Sequence, residues 1–429
     1  METLVKALQL YFMFVVIVMM VYAVRHIIFT INRLYVNQKI SYRDVVDSEW
    51  PTVSVLIPMH NEELVLKHVI ESLLECDYER DKLEIIAIND HSKDKTAEML
   101  DQYFRRFPIV RPYHRTDEKG DRGKPVALNE AMEFAKGEII IVFDADYRPS
   151  KNLIRKLASA FIDPKVGAVM GRVVPLNPHA NMLTELLNLE RSGGYQVDQQ
   201  ARYNLGLIPQ YGGTVGGYRK HLLLEDHGYN TKNLTEDTEL TYRLTLKGWN
   251  VVYDNSAECY EESPESWAVR GRQISRWSRG HNDVMIRYFF PVLISKRLPI
   301  YKKIDALLLL GVYMIPFILG TGLLDCITLF FLGRMNVMSG WWVLLFVGMY
   351  NSWGNFAPFY QISVGALLDG MRKELIFLPM LCFSFYFYMW YISKGFVQAV
   401  VDNITHRKTK WAKTERFAST DAPPPAPGA

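Results

Sequence analysis

Between Glu138 and Asp146 the chain reads Glu-Ile-Ile-Ile-Val-Phe-Asp-Ala-Asp, an apolar run ending in two acids that flank an alanine. Such a run predicts a fully buried strand, with Asp144 and Asp146 at its carboxyl end. In open α/β sheets that end faces the ligand crevice, and two hard oxygen donors there suit Mg²⁺ or Mn²⁺ carrying a diphosphate. Taken alone, the tripeptide also fits a helix N-cap followed by a solvated acid.

Further polar clusters fall where other strands should end. Residues 52–57 and 83–88 read as buried strands, with Pro58 expected to stop the first; 63–74 and 95–107 read as helices and 166–170 as another strand. This alternation predicts an α/β fold, a mostly parallel sheet with helices on both faces. His60-Asn61-Glu62 closes the first strand and Asn89-Asp90-His91-Ser92 the second, so Glu62 and Asp90 share the edge of Asp144 and Asp146. A nucleoside can be read there, although helix capping explains either cluster alone. Asp121-Arg-Gly-Lys124 precedes a helix predicted over 125–135, where cations at a helix amino end suit an anion. A solvated basic turn is the alternative.

After a glycine-rich stretch (Gly212, Gly213, Gly216, Gly217), Thr235-Glu236-Asp237 begins a helix predicted to run to Gly248. Acids in a first turn favour the helix dipole whatever else they do. Farther on, Gln273, Arg276 and Trp277 fall on one helix face. Ahead of Tyr288-Phe-Phe-Pro and an apolar block, this basic helix also reads as an interfacial anchor.

The 429 residues exceed one small domain, and the apolar ones lie in blocks. Residues 7–24, 338–368 and 375–393 carry no charge and 306–332 only Asp325, lengths comparable to the ~20 residues of a membrane-spanning helix. Arg25, His26 and Arg33, rather than a small-residue cleavage site, follow the first block, which argues against a signal peptide. Arg25, Arg33, Lys39 and Arg43 after it, and Lys296, Arg297, Lys302 and Lys303 before the next, place the stretch between them in the cytoplasm. Lys394, Arg407, Lys408, Lys410, Lys413 and Arg416 also ask for an inner tail, which needs an even number of crossings after Lys303 against three apolar blocks. A turn at Asn351-Ser-Trp-Gly-Asn355 would reconcile them. Beyond Phe417 the Pro- and Ala-rich end has no packing capacity. A formal charge of +3 without a long basic run argues for no nucleic-acid partner. No dinucleotide or P-loop glycine motif is present. Cys76, Cys259, Cys326 and Cys382 lie far apart and read as reduced thiols.

In this order and spacing, Asp90, Asp144-Ala-Asp146, Thr235-Glu236-Asp237 and Gln273-x-x-Arg276-Trp277 resemble the D, D-x-D, T/G-E-D and Q-x-x-R-W signature of the membrane-integrated, processive β-glycosyltransferases. That group includes cellulose, chitin and hyaluronan synthases and the bacterial poly-N-acetylglucosamine synthases. Each motif alone is weak; four in register are specific, and they cover residues 51–293. The resemblance implies a plasma-membrane, multi-pass protein. It implies a transmembrane helix within 1–33, a cytoplasmic GT-A-like domain over 51–260, interface helices over 261–303, a transmembrane channel region over 304–400 and a cytoplasmic tail over 401–429.

It also implies roles. Asp146 would hold Mg²⁺ or Mn²⁺ against the diphosphate, with Asp144 by the ribose or sugar. Glu62 and Asp90 would sit by the uridine, and Lys124 near it or the phosphates. Asp237 would be the general base, within the catalytic motif that includes Thr235 and Glu236. Gln273 and Arg276 would hold the diphosphate, and Trp277 would carry the acceptor sugar. Tyr211-Gly-Gly213-Thr214 resembles the family's acceptor-floor loop more loosely, and Trp411-Ala-Lys-Thr414-Glu-Arg416 is similar to a tail element of hyaluronan and chitin synthases. The implied partners are a UDP-sugar donor, a growing polysaccharide and the bilayer, with accessory export or membrane subunits as further candidates. Two other readings stand beside this one: a single-addition transferase acting on a lipid, and a transporter or scaffold with an inactive α/β domain.

Overall fold

The computed structural model describes residues 2–39, 49–115, 123–210, 212–337, 354 and 356–405. Asp121, Tyr211, the turn expected around 351–355 and the tail element with Trp411, Thr414 and Arg416 lie wholly or mostly outside these residues.

Eight strands form one sheet: β1 (Val53–Met59), β2 (Leu83–Asp90), β3 (Val110–Arg115), β4 (Ile139–Val142), β5 (Tyr147–Pro149), β6 (Val166–Pro175), β7 (Gly216–Arg219) and β8 (Asn250–Glu261). Their order is β3-β2-β1-β4-β7-β6-β8-β5. β2 and β4 flank β1 in parallel, β3 continues beside β2, and β8 runs parallel to β6. β7 lies antiparallel between β4 and β6, and β5 antiparallel to β8. Val53, Val55 and Ile57 of β1 pack on one face with Leu66, Val69 and Ile70 of the helix Leu66–Leu74. Leu56 packs on the other with Ala127 and Leu128 of the helix Lys124–Phe134. Burial on both faces is why β1, β2 and β4 read as nearly continuous apolar runs.

Several boundaries differ from expectation. β1 runs through Pro58 to Met59 rather than stopping at the proline. β4 pairs with β1 only as far as Leu56, so at Pro58 one side of the strand carries no ladder that needs an N–H. The helix expected from residue 63 begins at Leu66. β3, β5, β7 and β8 were not anticipated.

Among the described residues, three helical stretches are long and apolar enough to cross a membrane: Glu2–Tyr35, Ile300–Phe331 and Glu374–Thr405. Of the block 338–368, the described part is the helix Ala357–Leu368, whose 12 residues rise about 18 Å. That is short of the ~30 Å hydrocarbon layer. The helix instead docks on the domain: a side chain at Gly193 would meet Ile362, and one at Gly365 would meet the Ser192 backbone. Gln361 joins them, its amide donating to the Gly193 carbonyl. The helix Trp267–Ile294 packs along Leu381–Thr405, with the Ser278 hydroxyl donating to the Ile392 carbonyl (2.7 Å) and Arg279 paired with Asp402. The four cysteines are free thiols.

Charge joins the domain to the apolar helices. Arg25 of the first apolar helix donates to Asp305 of the second (2.8 Å) and lies 3.4 Å from Asp198; Arg202 donates to Asp198 (2.5 Å) and Asp305 (2.7 Å). The four charges close a neutral ring, and both guanidiniums lie over Phe29. Breaking such a pair from one side strands a buried charge. Arg202→Met is therefore expected to lower the stability of the detergent-solubilised protein by about 3–5 kcal/mol, measured as the midpoint of denaturant unfolding. An unchanged midpoint would show the ring to be energetically idle.

Candidate active site

The sheet's register gathers the candidate residues. Leu56 lies opposite Val142, so the segments following β1 and β4 leave at one edge, carrying Glu62, Asp144 and Asp146. Met59 lies opposite Asn89, which brings His60 against Asp90: its Nδ1 is 2.6 Å from the Asp90 carbonyl. β7 runs back beside β4 with Gly216 opposite Val142, so the residues entering it meet Asp144, whose N–H reaches the Thr214 hydroxyl at 3.2 Å.

These residues line a cavity of about 630 Å³. Its walls carry Glu62, Asp90, Lys124, Asp144, Asp146, Gly213, Thr214, Thr235, Glu236, Asp237, Gln273, Arg276 and Trp277, so every described candidate from the sequence faces one space. The same cavity continues to Leu309 and Tyr313 of the second apolar stretch and to Gln361. Among the described residues its wall carries the carboxylates of Glu62, Asp90, Asp144, Asp146, Glu190, Asp198, Glu236, Asp237, Glu261 and Glu262 and the cations Lys124, Arg191, Arg202, Arg270 and Arg276, while Arg115 and Arg25 pair with Asp90 and Asp198 from outside that lining.

Lys124 is the hub. Its ammonium donates to Asp144 Oδ1 (2.7 Å) and the Gly213 carbonyl (2.8 Å). Burial alone would depress it, but Asp144, then Glu236 and Asp237, hold it above its ordinary value. Burial pushes the Glu236 carboxyl up to about 7, with Lys124 opposing and Asp237 adding to the rise. Asp237 is raised as well, again chiefly by burial, against the Thr238 N–H, Lys124 and Arg276. The Thr238 N–H holds Asp237 Oδ1 at 2.8 Å. Oδ2 lies where Gly213, at φ +73°, brings the loop close: a Cβ there would sit 3.0 Å from it. Gly280 has a similar duty, since any side chain would strike Thr235.

Asp90 is already engaged on both oxygens. Oδ1 accepts from His91 (2.8 Å) and pairs with Arg115, and Oδ2 takes the Gly123 N–H at 3.2 Å. Two carboxylates at the end of β4 are a donor set that fits Mg²⁺ or Mn²⁺, because such ions accept one or two protein carboxylates and complete their shell with substrate phosphate and water. Among the described residues no group of three or more His, Cys, Asp or Glu surrounds a metal position.

Several wall residues escaped the sequence reading. Glu261 closes β8 and pairs with both Arg191 and the Tyr147 hydroxyl. Arg270 donates to Gln273 Oε1 at 2.8 Å and lies 5.2 Å from the centre of the Trp277 ring. His281 Nε2 lies 3.1 Å from both the Thr238 hydroxyl and the Gln210 amide, and burial drives its imidazole down to about 3, so it is neutral. Arg270, three before Gln273, and His281, four after Trp277, share the basic helix Trp267–Ile294 with the motif, whereas Glu261 ends a strand that the sequence does not reveal.

The Glu236 carboxyl ionises near pH 7 in the folded chain and near 4.5 when unfolded. The cost of burying its charge is thus absent below about pH 4.5 and complete above about pH 7, so ligand-free stability falls as pH rises through that window. Glu236→Gln is expected to stabilise the ligand-free protein at pH 8 by up to ~3 kcal/mol and by much less at pH 5. Equal shifts at both pH values in denaturant unfolding would refute this account.

The model of the family described as "Glycosyltransferase like family 2" matches residues 51–280. Among curated proteins, the probable glycosyltransferase YdaM of Bacillus subtilis (strain 168) is 28% identical over 86% of this chain and 88% of its own length. The beta-monoglucosyldiacylglycerol synthase of Nostoc sp. (strain PCC 7120) is 29% identical over 64% of this chain, which spans 58% of that protein. The poly-beta-1,6-N-acetyl-D-glucosamine synthase of Staphylococcus aureus (strain COL) is 26% identical over 65% of this chain and 66% of its own length. Mannosyltransferase PcManGT from Pyrobaculum calidifontis, solved with GDP-Man and Mn²⁺, shares the fold at a TM-score of 0.59 and 19% identity, covering 93% of this chain and 99% of that one.

Proposed function

The chain belongs to glycosyltransferase-like family 2, and from that membership we propose that it is a processive polysaccharide synthase. In this reading it transfers glucose or N-acetylglucosamine from a UDP-sugar to a growing β-linked chain with inversion, and passes the product across the plasma membrane. The observation that carries the proposal is the single cavity. It joins the acids at the ends of β1, β2 and β4 to Asp237, then to Trp277, and reaches Leu309, Tyr313 and Gln361 on the apolar helices. Similarity to a poly-N-acetylglucosamine synthase supports a polymer product, and similarity to a glucosyl-lipid synthase supports a second reading, one sugar added to a lipid.

The proposed chemistry is one displacement. The acceptor hydroxyl oxygen attacks the anomeric carbon, the bond from that carbon to the diphosphate breaks, and Asp237 Oδ2 takes the hydroxyl proton. Glu62 and Asp90 would bind the nucleoside, while Lys124, Arg276 and Gln273 would bear on the diphosphate. Asp144 and Asp146 would hold Mg²⁺ or Mn²⁺, the ion that PcManGT was solved with being Mn²⁺. Bound there, the ion would supply Lewis acidity toward the leaving diphosphate. Thr235 and Glu236 would fix the start of the helix that carries Asp237, and Gly213 and Thr214 would floor the acceptor site. The membrane region over 304–400 and the tail residues Trp411, Thr414 and Arg416 would complete the proposed export path, with the domain over 51–260 in the cytoplasm.

Purified protein given UDP-glucose and UDP-N-acetylglucosamine should release UDP from one of them and build a product of many sugars; a single sugar on a lipid would select the second reading. EDTA and Asp146→Asn should each abolish transfer, and full activity in EDTA would remove the metal. Asp237→Asn should lower kcat ~10²-fold or more with UDP affinity little changed, whereas parallel loss of UDP binding would make Asp237 structural. Trp277→Ala should shorten the product, and an unchanged length distribution would sink the platform.

A further inference from the structure

We infer that Glu190 belongs to the acceptor subsite, where its carboxylate accepts a hydroxyl of the acceptor sugar stacked on Trp277. This rests on the glycosyl-transfer reading above. Glu190 lies at the end of the helix Met182–Ser192 and lines the cavity. One oxygen, Oε2, is committed: the Tyr388 hydroxyl donates to it at 3.2 Å and Arg270 lies 3.5 Å away. The other, Oε1, is shielded from solvent and has no hydrogen-bond partner among the described residues. A buried acceptor left in that state is costly, which marks it as a place that a bound donor completes.

The neighbours define what that donor is. Arg270 spends its guanidinium on Gln273 (2.8 Å), Tyr388 (3.4 Å) and Oε2, and lies 5.2 Å from the Trp277 ring centre. Arg191, 6.0 Å from that ring, is paired with Glu261. The charge of Arg270 is matched by Glu190 itself and that of Arg191 by Glu261, so these two cations leave no net positive charge for an anionic group. A neutral hydroxyl beside an aromatic face fits, because an ionised carboxylate only accepts and the indole takes the apolar C–H face of a sugar. Arg270 is then a positioning residue, holding the carboxylate and lying over the ring from one guanidinium.

The test is affinity, which needs no turnover. Full-length protein in lipid nanodiscs with UDP present is titrated with cellotetraose, chitotetraose and monoglucosyldiacylglycerol, and separately with UDP. Glu190→Ala is expected to weaken the preferred acceptor about tenfold or more while UDP affinity moves less than about twofold. Glu190→Gln, nearly isosteric and still an acceptor, should lose about threefold or more, and it carries the comparison if the alanine variant does not fold. Arg270→Lys should resemble Glu190→Gln. Unchanged acceptor affinity in Glu190→Gln, parallel loss of UDP affinity, or a wild-type protein that binds none of the three acceptors each overturns the inference. Wild-type protein that binds an acceptor but turns over neither UDP-sugar would instead overturn the transfer reading, and preference for the glycolipid would overturn only the polymer.

Discussion

Lys124 donates to Asp144 and to the Gly213 carbonyl while Glu236 and Asp237 bear on it, so one buried ammonium draws together acids from the end of β4 and from the first turn of the helix Glu236–Lys247. Much of the site's construction serves that convergence. β7 must run back antiparallel beside β4 to bring Gly213 and Thr214 to Asp144. A glycine must stand at 213 because Asp237 Oδ2 would be 3.0 Å from any Cβ. The helix Glu236–Lys247 must start there, its first turn loaded with acids that the helix dipole favours but burial disfavours. Among the described residues the cavity wall carries ten carboxylates against five cations, a surplus of hard oxygen donors in which a divalent ion suits the two acids at the end of β4.

How much of this could be read from the chain depends on how local each signal is. β1, β2 and β4 were visible because burial on both faces makes each a continuous apolar word, and Asp144 and Asp146 because they end one. β3 was not, since Val110-Arg-Pro-Tyr-His-Arg115 is an edge strand whose middle is only half-buried and mostly polar. β7 hid in Gly216-Gly-Tyr-Arg219, where the lack of side chains reads as a loop but lets the strand pass close to β4: a Cβ at Gly217 would meet the Ile140 carbonyl. β8 follows an apolar triplet, Val251-Val-Tyr253, with a polar one, Asp254-Asn-Ser256, so it shows no period of two and its partner β6 defines it better than its own sequence does.

The candidate site divides along the same line. Motif residues sit at strand ends or in one helical turn, so their spacing survives in the sequence. Glu190, Arg191, Glu261 and Arg270 meet only through tertiary packing and their pairing has no sequence period. The ring of Arg25, Asp198, Arg202 and Asp305 is the extreme case, joining residues up to 280 positions apart. Arg25 and Asp305 alone look like charges flanking apolar blocks, and Asp198 and Arg202 like an ordinary i, i+4 pair on a helix.

Their placement separates the two ends of the cavity mechanically. The end with Asp144 and Asp146 is built from strand ends in a sheet buried on both faces, with little freedom to move independently of the core. The end with Trp277 hangs on the helix Trp267–Ile294, which packs along Leu381–Thr405, and on Glu190, tied to Tyr388 of that last helix. Asp369, at the end of the short apolar helix, binds Arg172 of β6 (2.6 Å) and Gln196 (2.6 Å), so that helix is tied to the sheet by charge as well. Trp277, Glu190 and Arg270 thus sit where the apolar helices meet the domain, and Asp237 shares that contact, because Gly280 packs on Thr235 and His281 Nε2 lies 3.1 Å from the Thr238 hydroxyl. Asp144, Asp146 and Lys124 are held instead by strand ends and the helix beside them, so the two walls of the cavity are fixed by different parts of the chain.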